Sequence, residues 1–275
     1  MPSAYLLMTY HPACAAVPVG IIPAGSGNTW AYDLGLDDAV AAARRIAGGE
    51  TMCVDVMAVG PVDGSGAVDE FAINICGYGM PAAVLEKANA LRWLGSAQYE
   101  LAGLVLIADG QTKFDATLEI EREDGLVVSR QLEACSFVQG QINMHMGKRV
   151  AFAPGARMDD GLLDLVLVKK GSGLDILHAN AAARGATHID LPYVEVVRCK
   201  SYTLQPAQGA AEALNLDGEL AARAPFRATC VPGALEVFAG ELRVEPRDTS
   251  AEAEPQLVMG LVRMCQALGY YETGP

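Results

Sequence analysis

Gly49 divides this chain into two kinds of sequence. Beyond it, up to about residue 244, the residues fall into short apolar, β-rich runs separated by glycine, proline and Asp-Gly turns. Runs at 51–59 and 68–75 flank a turn at 61–66. Runs at 114–122 and 126–133 alternate around Glu123-Asp124-Gly125, a hairpin signal because Asp-Gly suits primed turns. Further strands are expected at 149–152, 163–168, 193–205, 226–230 and 235–239, and helical periodicity interrupts them only at 81–93, 96–108 and 173–183. So many short strands with so few helices between them predict mostly antiparallel sheet.

Before Gly49 the pattern differs. Residues 19–22 form a short buried run, 23–27 a turn and 28–34 a helical repeat, which together make half of an α/β unit. A second helix is expected over 37–47, with Asp37 as N-cap, Arg44 and Arg45 in its last turn and Gly48-Gly49 ending it. Residues 249–255 read as a polar linker and 256–268 as an amphipathic terminal helix. The expected organisation is therefore α+β: the C-terminal part of an α/β lobe (1–48), a mostly antiparallel β-sandwich lobe with inserted helices (49–246), and a linker with a helix (247–275).

Composition narrows the function classes. With 275 residues, 51% of them hydrophobic, the chain has the material for a sizeable core; 29 glycines and 14 prolines against 6% aromatics argue against a helical bundle. A formal charge of −13 repels nucleic acid and gives no general attraction to an anionic membrane, so any phosphate or lipid contact has to be local. Cys14, Cys53, Cys76, Cys135, Cys199, Cys230 and Cys265 stand singly, without a C-x-x-C pair, and read as reduced. Residues 1–14 lack the basic start of a signal peptide, and the apolar stretch 101–108 is too short to span a bilayer, so a cytoplasmic protein is expected.

Three short segments could carry chemistry. Pro23-Ala24-Gly25-Ser26-Gly27-Asn28 lies between a buried run and a helix start, where converging backbone N–H groups and a hydroxyl suit phosphate. An ordinary strand-to-helix turn has the same composition, and the lysine and spacing of a Walker A loop are missing. Asp217-Gly218-Glu219 is, taken alone, a hairpin turn. Asp159 and Asp160 precede the strand at 163–168; paired carboxylates suit Mg²⁺, and they equally suit a solvated turn.

In order and spacing, five segments resemble one family. They are V-G-I-I-P-A-G-S-G-N (19–28), N-I-C-G-Y-G (74–79), R-W-L-G (92–95) with Tyr99, A-P-G-A-R-M-D-D-G-L-L-D (153–164) and L-D-G-E (216–219). Together they resemble the catalytic region of the diacylglycerol, sphingosine and ceramide kinases, over about residues 19–244; the loop form is most similar to that of sphingosine kinases. The resemblance implies an α/β nucleotide lobe followed by a β-sandwich lobe, with ATP, accompanied by Mg²⁺, and a lipid at a membrane surface meeting in the cleft between them. It places Gly25, Ser26, Gly27 and Asn28 at the ATP phosphates, lets Arg92 reach those phosphates, and brings Asp217, Gly218 and Glu219 over the nucleotide from the second lobe. A guanidinium at position 92 suits the charge that develops during phosphoryl transfer. Transient peripheral membrane contact by an otherwise cytoplasmic protein is the expected localisation.

The chain departs from the family pattern twice. The family's G-G-D-G-T loop, which carries the general-base Asp, belongs upstream of Val19, and residues 1–18 contain nothing like it. Roughly a hundred residues of nucleotide lobe are missing by that measure, so this chain alone is expected to be inactive. Where sphingosine kinases hold the substrate amine with acidic residues, this chain has Met80-Pro81-Ala82-Ala83-Val84-Leu85 and no carboxylate before Glu86. Ala83 and Leu85 are therefore expected to face a neutral, diacylglycerol-like or ceramide-like lipid. A non-catalytic lipid- or nucleotide-binding protein derived from a lipid kinase is the alternative.

Overall fold

The computed structural model describes residues 17–25, 27–91, 93, 97–108, 113–146, 150–169, 172–207 and 213–243. The expected linker at 249–255, the terminal helix at 256–268, Cys14 and Cys265 lie outside the described residues. Two helices come first, α1 (Thr29–Asp33) and α2 (Ala39–Gly48), and then β1 (Thr51–Gly60), β2 (Glu70–Ala72) and β3 (Ile75–Gly79). A helical pair follows, α3 (Met80–Asn89) and α4 (Ala97–Ala108), ahead of β4 (Phe114–Arg122), β5 (Val127–Cys135), β6 (Phe137–Gln141) and β7 (Leu163–Val168). The remaining elements are α5 (Gly173–Ala182), β8 (Val194–Pro206), β9 (Ala213–Leu216), β10 (Glu219–Arg223) and β11 (Phe226–Phe238).

The strands run in the order β10-β9-β3-β6-β7-β8-β11-β1-β2, with β4 and β5 added on the other edge of β8. Every named strand pair is antiparallel. The 13-residue strand β8 organises this sheet. Cys199 pairs with Leu163 of β7 on one side and Arg122 of β4 on the other; β11 pairs with residues 201–204 and so takes over the edge that β7 leaves. A strand shared in this way turns one sheet into two stacked layers. Their contact is close: a Cβ on Gly140 of β6 would lie 2.7 Å from the Tyr202 ring of β8, and the Tyr202 hydroxyl donates to the Cys76 carbonyl of β3 at 3.3 Å. Tyr78, Leu118, Tyr202 and Phe226 fill the core between the layers. A second apolar cluster, with Phe137, Phe152, Val166 and Ile176, lies beneath α5.

The strand-rich, mixed fold agrees with the α+β expectation, and several elements correct its details. The N-cap of α2 is Asp38, whose carboxylate accepts from the Val40 and Ala41 N–H groups at 2.8 Å, and not Asp37. The run at 19–22, expected to be a buried strand, is half-buried to exposed and forms only one parallel bridge, between Val19 and Val237. The single run at 68–75 is two strands, because the N–H groups of residues 73–75 bond to Asp217 instead of to a neighbouring strand. At 149–152 only an isolated bridge between His145 and Ala151 forms among the described residues. The runs at 226–230 and 235–239 join into β11, whose pairing with β1 shifts register between Val54 and Val56. Strand β6 was not expected at all; its Gln139 and Gln141 are polar, yet both are buried. Cys76, Cys135, Cys199 and Cys230 are free and buried, in agreement with the reduced reading, whereas Cys53 is free and exposed; burial pushes the thiols of Cys76, Cys199 and Cys230 up to about 12.

Candidate functional site

The glycine loop is closed by its own asparagine. Asn28 adopts a left-handed conformation (φ 48°), its Oδ1 accepts from the Gly25 N–H at 2.9 Å, and its Nδ2 donates to the Gly25 carbonyl. Gly27 has open space where a side chain would stand, and Ser26 lies outside the described residues. Helix α1 follows at once but has only five residues, four of them buried. So short a helix adds little dipole at the loop.

The last residue of α1 is anchored in the sandwich. Asp33 is buried, and its Oδ2 accepts from Asn143 Nδ2 at 2.6 Å and from the His145 N–H at 3.0 Å, while its Oδ1 lies 2.5 Å from His145 Nδ1. Because a carboxylate only accepts, Nδ1 of the imidazole carries the proton that faces Asp33. Nε2 of His145, Oδ1 of Asn143 and both amide atoms of Gln141 are buried without a partner. Tyr32 packs edge-on to the His145 ring at 5.2 Å, with the Arg243 guanidinium 4.0 Å from the centre of the tyrosine ring.

Asp217 holds a third segment. With Gly218 it forms the two-residue turn of the β9–β10 hairpin, both at positive φ, as a primed turn requires. Its carboxylate accepts from the backbone N–H groups of Ile73 (2.8 Å), Asn74 (2.9 Å) and Ile75 (2.9 Å). Burial pushes this carboxyl above its ordinary value, against the pull of those three donors. The Asn74 carbonyl in turn accepts from the Ile142 N–H at 3.1 Å, one residue before Asn143. Asp217, residues 73–75, residues 142–145 and α1 thus form one hydrogen-bonded series. Gly218 and Glu219 are exposed beside it.

The other expected site residues are more scattered. Arg92 lies outside the described residues, so the expected meeting of Ser26, Arg92 and Asp217 falls partly outside them too. On α3, Leu85 is buried and Ala83 half-buried. Asp159 is held by a two-pronged contact with Arg157 (3.0 Å each), and Asp160 pairs with Arg198. Both carboxylates are therefore engaged by arginines, and no group of three His, Cys, Asp or Glu side chains suited to a metal exists among the described residues. Neither carboxylate of this pair is left free for a cation.

No local motif marks Asp33, Asn143 or His145 in the sequence. The available signal was alternation: Gln139, Gln141, Asn143 and His145 are polar at every second position, the period of one strand face.

Comparison with known proteins decides the family. A model described as the YegS C-terminal NAD kinase beta sandwich-like domain matches residues 74–239, and one described as the diacylglycerol kinase catalytic domain matches residues 5–59. The chain belongs to the diacylglycerol, sphingosine and ceramide kinase family. Its lipid-kinase relatives include a "Probable lipid kinase YegS-like" protein of Chromohalobacter salexigens, 30% identical over 81% of this chain and 67% of that one. A diacylglycerol kinase of Mycobacterium tuberculosis is 26% identical over 81% of this chain and 69% of its own length. Sphingosine kinase 1 of Arabidopsis thaliana is 25% identical over 80% of this chain, which spans only 53% of the plant protein. A crystal structure of a diacylglycerol kinase from Bacillus anthracis shares the lipid-kinase fold with a TM-score of 0.53 at 17% identity, over 81% of this chain and 67% of that one. No helix among the described residues of this family member is long and apolar enough to cross a membrane.

Proposed function

We propose that the protein serves ATP-dependent phosphorylation of a lipid hydroxyl, with a neutral diacylglycerol-like or ceramide-like lipid as acceptor. The observation that carries this reading is the hydrogen-bonded series linking α1, residues 73–75 and Asp217, since two of the segments that the family resemblance assigns to one nucleotide, the Gly25–Asn28 loop leading into α1 and Asp217–Glu219, are thereby tied together. In this reading Gly25, Ser26, Gly27 and Asn28 meet the phosphates, Arg92 neutralises them, and Asp217, Gly218 and Glu219 close over the nucleotide, with Asp217 acting by fixing residues 73–75. Mg²⁺ arrives with ATP. The apolar stretch from Met80 to Leu85, including Ala83 and Leu85, receives the lipid. The lipid oxygen forms its bond to phosphorus as the bond to the departing ADP oxygen breaks, and the hydroxyl proton passes to a general base. The protein's part in such a transfer is positioning and charge neutralisation.

The 275 residues contain no Gly-Gly-Asp-Gly-Thr to supply that base, and a positioned base is worth about 10²- to 10⁴-fold in rate. The chain alone is therefore expected to bind ATP weakly and to transfer no phosphate. A radiolabelled-ATP assay with diacylglycerol, ceramide and sphingosine in mixed micelles tests this, on the 275 residues and on any longer reading frame carrying that loop. Lipid phosphate from diacylglycerol or ceramide in the longer form supports the reading. Robust transfer by the 275 residues, abolished by Asp217→Asn, would place the base at Asp217. Binding without transfer in both forms would favour the non-catalytic alternative.

A further inference from the structure

Helix α1 is too short to hold its own shape or place. Five residues cannot pay the cost of helix nucleation, so the position of α1, and of the Gly25–Asn28 loop leading into it, depends on what grips it from outside. One grip is polar and wholly buried. Asp33 and His145 are each about 1% exposed and lie 112 residues apart in sequence, and three hydrogen bonds join Asp33 to the Asn143–His145 segment. Burying an acid and an imidazole gains little over apolar packing of the same volume, whereas their bonds fix direction as packing does not.

We propose that Asp33 and His145 are positioning residues for nucleotide binding: by clamping α1 to the segment after β6, they set where the Gly25–Asn28 loop stands relative to residues 73–75 and Asp217. This inference rests on the nucleotide reading above and adds two residues to it. The side chain of His145 acts through its Nδ1–H donor, so a residue that supplies a donor at the same point should replace it in part. The amide N–H of asparagine reaches that point, and phenylalanine keeps the ring while losing the donor.

The test uses the full 275-residue chain with His145→Phe, His145→Asn and Asp33→Asn. Two quantities are measured: hydrogen exchange of the amides in residues 27–34, with β1 and β11 as internal reference, and the Kd for MgATP up to millimolar concentration. The emission of Trp30, which sits in α1, gives a third reading in a Trp93→Phe background. His145→Phe is expected to raise exchange at 27–34 at least about tenfold with the reference strands unchanged, to shift Trp30 emission to the red and to weaken MgATP at least about fivefold. His145→Asn should recover most of each loss. Wild-type exchange and Kd in His145→Phe would overturn the proposal. So would a His145→Asn as impaired as His145→Phe, because ring volume and not the donor would then matter. A wild-type chain that binds no MgATP sinks the nucleotide reading and the link to affinity, whereas the exchange pattern still decides whether the clamp exists.

Discussion

Single carboxylates in this protein do unlike work according to what surrounds them. Burial pushes the Asp164 carboxyl up to about 6, with Arg198 pulling the other way. An unfolded Asp titrates near 3.9, so between about pH 4 and pH 6 the native state binds the extra proton, and stability from this group falls as pH rises through that window. The gap corresponds to about 2–3 kcal/mol. Urea unfolding at several pH values should show that slope in the wild type and a flatter one in Asp164→Asn. Asp217, whose carboxyl burial also raises, serves as a backbone acceptor. Asp217→Ala leaves three N–H groups at residues 73–75 without their partner and should cost about 1–3 kcal/mol, read from the shift in urea midpoint at constant slope. Only the turn at Asp217 was legible in its sequence. A hairpin is a local property, whereas the bond from Asp217 to Asn74 crosses 143 residues.

Local chemistry decided how well each element could be foreseen. The β4–β5 hairpin and β7 stand where alternation and the Asp-Gly turn put them, because both signals act within a few residues. Strand β6 escaped because its buried face carries glutamines, and a polar residue on a covered face looks like a solvated one until its neighbours are known. Gly79 marks the junction of β3 and α3. It sits at φ 78°, and a Cβ there would lie 2.4 Å from a ring carbon of Phe114 and 3.0 Å from the Ser136 carbonyl oxygen. Gly79→Ala therefore meets a left-handed penalty of about 1–2 kcal/mol together with overpacking of about 1–3 kcal/mol. Thermal unfolding should place its Tm several degrees below wild type; an unchanged Tm would show that Phe114 yields freely.

Across the whole molecule, β8 belongs to both layers, so neither layer owns a complete set of strands. Unfolding of the sandwich should accordingly be a single cooperative transition, with far-ultraviolet circular dichroism and tyrosine fluorescence changing together; separated transitions would mean that the layers are independent. The family could be seen in the sequence because its motifs are short and ordered. The clamp between Asp33 and His145 could not, since nothing near either residue announces the other. The closing strand pair has a further consequence, and it concerns synthesis. Asp55 of β1 bonds to the N–H of Gly233, 178 residues later, and β1 pairs with β11 over a similar span, from Thr51 with Phe238 to Gly60 with Arg227. At the usual pace of a ribosome that distance takes roughly ten to forty seconds to make. Throughout that time β1, seven consecutive residues of which are buried in the finished fold, has no long partner to cover it. A newborn chain of this kind is therefore most exposed to aggregation and to chaperone capture before β11 leaves the exit tunnel.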